Sequence, residues 1–238
     1  MTLFGRKARD DAAGPARGLA DTAAALGQLI ETTVTDVEGR IRVEDLLSAA
    51  GAVCGEACIA AAGEFDPESH DFVPGSAVLS DRVNEILCGN ATDWPTTGDS
   101  VFGLVFAGAI RAGYVIEDFP VLADVFRVYL AGLGGGNADR WGYVSLSVAV
   151  DHWPRTPPLR AAYELRGPAH AILEERGIPK PSWPTAGGLT VARELDRVQT
   201  AIERGVGVHI AIETINGMAK MAPMTERHFR EAAGPPTH

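Results

Sequence analysis

Residues 98–150 read GDSVFGLVFAGAIRAGYVIEDFPVLADVFRVYLAGLGGGNADRWGYVSLSVAV, fifty-three positions with eight charges and no lysine, histidine or cysteine. The stretch also carries eight of the sixteen aromatic side chains. Apolar surface at this density is driven out of water, so the stretch is expected at the centre of the fold.

Residues 101–112 offer no polar face, which predicts a helix covered on all sides, capped by Asp99 or Ser100 and ended at Gly113. A second helix is expected from Asp118 to about Gly132, with Leu122, Val125, Phe126 and Tyr129 on one face. The two would form a buried central helical hairpin. The apolar run 101–116 contains Arg111 and falls short of the roughly 20 residues that a bilayer span needs, so no membrane is expected. In 143–150, Val144, Leu146, Val148 and Val150 alternate as in a strand, but no clear partner strand exists and helix is preferred.

Helical spacing recurs at 19–33, 44–63, 76–87, 159–176, 189–204 and 206–219. The fold class is therefore mainly α: an orthogonal or bundle-like domain around the central hairpin. Glu38-Gly39, followed by Ile41 and Val43, allows a short β-hairpin near 34–43. That segment resembles a degenerate EF-hand loop, with Gly39 as its glycine and Asp36 and Glu38 as ligands. Val34 and Asp45 at its first and last positions depart from the family's pattern and argue against calcium. The expected organisation is a polar tail at 1–18, a helical core at 19–177, a proline and glycine linker at 178–188, a C-terminal helical arm at 189–222 and a tail at 223–238.

A formal charge of −10, from 31 acidic and 21 basic residues, argues against nucleic-acid or anionic-membrane surfaces, which demand clustered lysine and arginine. Three cysteines make a disulfide framework improbable and a cytoplasmic location the default. Cys54 and Cys58 lie on one face of a helix, and with Cys88 they offer three thiols of the type zinc prefers. Their small apolar surroundings and the absence of a two-residue zinc spacing favour a structural role.

The glycine loop at 132–142 is the main candidate ligand site. Its backbone N–H groups can form an anion-binding nest with Gly135 and Asn137, beside Arg140 and Trp141, and Arg111 is a fixed charge within an apolar helix. A mobile connector is the preferred reading of the glycines, since such clusters mark turns more often than ligands, and neither a Walker nor a dinucleotide pattern is present. Gly98-Asp99-Ser100 resembles the nucleophile block of the GDS-type serine hydrolases, and Gly136-Asn137 their later glycine–asparagine block. The Asp-x-x-His of that family is missing, and a helix cap explains Asp99-Ser100.

With no complete catalytic set and no cofactor motif, the leading expectation is a non-catalytic binding or assembly protein, a homodimer joined through the C-terminal arm at Leu195, Val198 and Ile202. The alternative is an enzyme or small-ligand protein with a small anion bound near Arg111 and the 134–140 loop.

Overall fold

The structure, a computed structural model, describes residues 7–66, 72–132 and 141–228, with side-chain surroundings from residue 18 onward. In chain order the helices are α1 (Lys7–Val34), α2 (Val43–Ala62), α3 (Asp81–Cys88), α4 (Val101–Arg111), α5 (Leu122–Gly132), α6 (Pro158–Glu175), α7 (Trp183–Val198) and α8 (Arg204–Met218). Short 3-10 turns lie at Ile116–Asp118, Val150–His152 and Lys180–Ser182. Among the described residues β pairing is limited to an isolated antiparallel bridge between Ala77 and Met221, so the chain is all-α.

The centre of the fold is α2, against which α1, α6, α7 and α8 pack. Its small residues make this possible. A Cβ added at Gly51 would lie 3.1 Å from the Ala211 carbonyl oxygen, and one at Gly55 would lie 2.8 Å from the Ala219 nitrogen. Helix α8 thus rests on α2 with almost nothing between the backbones, where dispersion contacts are densest. Among the described residues this helix, and not 101–116, is the one long and apolar enough to cross a bilayer, and protein covers most of it here.

Residues 98–150 do not form the expected buried hairpin. Helix α4 packs on α7 and α5 on α8, not on each other. Phe102, Val105 and Ala109 turn inward, whereas Ala107, Ile110 and Arg111 face solvent. The closest backbone approaches to α2 are those of α8, over Gly51 and Gly55, and of α7, through Gly187, while α4 packs on α7.

The predicted linker and arm are likewise part of the core. Residues 178–188 form a 3-10 turn and the start of α7, because Pro184 sits in the first helical turn, where a missing N–H costs nothing. Gly187 is a contact point, its missing Cβ leaving room for Cys54 Cα. Leu195 and Val198 are fully packed. At the N-terminus α1 begins at Lys7, inside the predicted tail, in a run rich in helix-forming Ala, Arg and Lys.

Three other segments differ from expectation. At 34–43 the turn forms, with the Gly39 N–H donating to the Asp36 carbonyl and the Asp36 carboxylate accepting from the Glu38 and Arg40 N–H groups. No hairpin follows, since Val43 already begins α2. Residues 76–80 are extended, not helical: the Val78 N–H donates to the Lys220 carbonyl and the Ala222 N–H to the Ser76 carbonyl, and Ser80 caps α3. Met224 and Thr225 beyond the pairing are buried as well, so the packed chain runs past 222 into the predicted tail. Residues 143–149 are neither helix nor strand. Their alternation is real, with Val144 and Leu146 buried, but they lie across α8, where Val144 packs on Gly217.

Candidate functional site

The sequence-derived anion site is only partly within view. Gly135, Asn137 and Arg140 lie outside the described residues. Arg111 is exposed in the last turn of α4, and the Asp118 carboxylate accepts the Val115 N–H at 2.9 Å. Trp141 is about half exposed. Ser100 is committed as a cap: its Oγ accepts the Gly103 N–H at 3.1 Å and donates to the Thr97 carbonyl at 2.6 Å.

The three cysteines are free and buried. Cys54 and Cys58 face each other on α2, and the hydrogen bond between their thiols, together with burial, pushes the Cys58 thiol well above its ordinary range. Cys88 sits at the end of α3, where its thiol donates to the Asn84 carbonyl at 3.3 Å. Among the described residues no three His, Cys, Asp or Glu side chains gather to hold a metal.

Reasoning from sequence passed over the most unusual charge in the fold. Lys220 is one of three lysines in the chain. It lies just beyond the C-terminal end of α8, with only 4% of its surface exposed. Its Nζ donates to Asn216 Oδ1 at 2.6 Å and stands 3.9 Å from the centroid of the Phe126 ring. Tyr129 donates its hydroxyl to the Lys220 carbonyl at 2.5 Å. An ammonium is disfavoured there, and burial lowers its pKa to about 8 from 10.5, while burial pushes Tyr129 up to about 12. The ring face and the helix C-terminus offset part of that penalty. A lone lysine four residues after an asparagine, in an otherwise apolar run, was the available signal.

A second polar group joins Ser147, His209 and Glu213, the residue types of a hydrolytic triad. Ser147 donates its hydroxyl to Glu213 Oε1 at 2.5 Å and its backbone N–H to Oε2 at 2.7 Å. His209 Nδ1 is 2.8 Å from Ser147 Oγ and 3.5 Å from Glu213 Oε1. A triad needs the imidazole between serine and carboxylate, with a different ring nitrogen facing each. Here one nitrogen meets both, and the carboxylate holds the serine directly. The group is a clamp that fastens 143–148 onto α8.

A third polar group is the fork of Arg166 on Glu56, with Nη2 to Oε1 at 2.5 Å and Nε to Oε2 at 3.1 Å, while Nη1 donates to the Met224 carbonyl at 2.6 Å. It ties α2, α6 and the C-terminal segment together, and its planar geometry suits partial burial.

Two of the surface clefts among the described residues carry charged side chains. One of about 380 Å³ lies where α3 ends and α4 and α7 begin, and Arg82, Glu85 and Asp99 line it with both signs of charge. The other, about 470 Å³, is flanked by Arg42, Tyr143 and Arg155. Arg42 there donates to the carbonyls of Asp151 and Trp153, each at 2.6 Å.

The largest departure from a sealed surface lies on the outer side of 98–150. Of ten large apolar side chains exposed among the described residues, seven belong to this stretch: Ile110, Val115, Ile116, Val121, Leu130, Trp141 and Val150. Behind its first part Trp94, Phe106 and Phe119 pack as one aromatic group, with Trp94 Nε1 donating to the Pro120 carbonyl at 2.7 Å. That backing holds the outer residues on a firm base. Neither a family model, nor a curated protein, nor a solved structure matches this chain.

Proposed function

We propose that this chain is a non-catalytic, self-associating binding or assembly protein whose contact surface is the outer side of 98–150. One observation carries the reading: the most apolar stretch of the sequence is only half used by the fold, and its remaining apolar side chains face outward. Concentrations of exposed apolar residues on a folded surface mark association sites. The polar clusters have structural employment, since Ser100 caps, Glu213 clamps and Glu56 forks with Arg166. Three unbridged cysteines fit the reducing cytoplasm.

Sedimentation velocity over a range of concentrations tests the reading. The full chain should associate reversibly. Ile110→Glu combined with Val121→Glu should keep the helical circular dichroism, because both side chains face solvent, and should remain monomeric. A wild-type protein that stays monomeric throughout would overturn self-assembly.

A further inference from the structure

Apart from self-association, we infer that the cleft of about 470 Å³ flanked by Arg42 and Tyr143 binds a small zwitterion of the α-amino-acid class with an aromatic or aliphatic side chain. Its volume falls within the roughly 300–1,000 Å³ of small-ligand clefts. Asp151 and Arg155 both line it. Both are exposed, and neither side chain has an ion-pair partner among the described residues, so these two opposite charges do not neutralise each other.

The neighbouring charges are already engaged. Arg42 places Nε 3.2 Å from Glu44 Oε2 and gives its other two nitrogens to the carbonyls of Asp151 and Trp153. Glu44 Oε1 also lies 3.0 Å from His152 Nδ1, and Asp45 accepts the Arg155 N–H at 2.6 Å. Further bonds fix the same wall: Tyr143 donates its hydroxyl to the Arg155 carbonyl at 2.8 Å, and Trp153 Nε1 donates to the Val148 carbonyl at 3.2 Å. The backbone from Asp151 to Arg155 is thus held before a ligand arrives, which lowers the ordering cost of binding.

The free charges select the ligand. An anion alone would face Asp151, and a cation alone would face Arg155 and Arg42. A molecule that carries both signs satisfies both, its carboxylate on the planar Arg155 guanidinium and its ammonium on Asp151. Apolar surface for its side chain comes from Tyr143 and Trp153, whose ring centroids lie 6.3 Å apart with a 38° tilt, and from exposed Val150.

The test is calorimetric titration of the full chain with L-phenylalanine, with hydrocinnamate, which lacks its amine, and with phenethylamine, which lacks its carboxylate. L-phenylalanine should bind, and each truncated analogue should bind roughly tenfold or more weakly, having lost one charge-assisted pair. Arg155→Gln should weaken L-phenylalanine by about the same factor and leave phenethylamine unchanged, while Asp151→Asn should weaken L-phenylalanine and leave hydrocinnamate no weaker. Both side chains are exposed, so the circular dichroism should not change. Hydrocinnamate binding as tightly as L-phenylalanine would make the cleft a plain anion site, and phenethylamine doing so would make it a cation site; either outcome removes the zwitterion. No L-phenylalanine binding tighter than about 1 mM would overturn the site itself. Sedimentation reads association separately, so self-assembly stands or falls on its own experiment.

Discussion

Gly187 of α7 stands directly on Cys54 of α2, so close that a Cβ at 187 would lie 2.9 Å from the Cys54 Cα and 3.0 Å from its sulfur. The next residue, Gly188, has room: the nearest atom to its added Cβ is the Val101 carbonyl oxygen at 3.5 Å. Two adjacent glycines in one helix therefore answer to different physics. Gly187→Ala is expected to lower stability by about 1–3 kcal/mol, since backbone must move to admit it. Gly188→Ala should be neutral or stabilising by up to about 1 kcal/mol, through helix propensity. Urea unfolding of the pair decides, and equal effects would mean that α7 does not meet α2 at residue 187.

Lys220 makes stability depend on alkaline pH. Between about pH 8, where the folded lysine titrates, and 10.5, its ordinary value, the unfolded chain holds a proton that the folded chain has released. Stability therefore rises with pH across that window, and below it the full penalty of the buried ammonium is present. Lys220→Met should lose this slope, so its stability relative to wild type is greatest below pH 8 and declines towards 10.5. Thermal melts across the range measure it, and parallel curves for the two proteins would show that the amine is solvated.

Glu194 of α7 works in the opposite sense at acidic pH. Its side chain is sealed against α1 beside Gly27, and Oε1 has no hydrogen-bond donor. Burial raises its pKa above the usual carboxylate value. The folded chain thus holds a proton that the unfolded chain releases, and stability falls as pH rises through that interval. Glu194→Gln should flatten this fall, which denaturation between pH 4 and 7 reads out; an unchanged slope would place the titrating group elsewhere.

The clamp at Ser147 separates structure from catalysis. Glu213→Ala removes the acceptor of both the Ser147 N–H and hydroxyl and should cost about 1 kcal/mol, whereas Ser147→Ala keeps the N–H bond and should cost less. A fluorophosphonate probe should leave Ser147 unlabelled, and covalent labelling there would reveal a nucleophile.

Leu195, Val198 and Ile202 read in sequence as the face of a free arm. In the fold the first two are almost wholly inaccessible, and Ile202 packs against the core. Changing all three to serine should unfold the protein, not release a monomer, and circular dichroism distinguishes the two.

The sequence by itself determined the helical class and much of its punctuation. Ser100 caps α4, Gly63 closes α2 with a φ of +68°, and Gly113 takes up a φ of +93° just past the end of α4, because caps depend on residues a few positions apart. Periodicity likewise showed that α5 and α8 each have apolar faces, whereas 101–112 read as apolar all round and α4 in fact exposes Ala107, Ile110 and Arg111. What those faces meet was decided only in three dimensions. Places beside α2 went to the helices whose backbones come closest, at Gly51 with α8 and Gly187 with Cys54, contacts between residues more than a hundred positions apart. The alternation of 143–150 found no partner strand and came to rest on Gly217, held by a carboxylate sixty-six residues away. Lys220 becomes a buried charge only where Phe126, Tyr129 and Asn216 close around it in the fold. Local patterns record how a segment coils, while steric complementarity between distant segments selects what each coil touches.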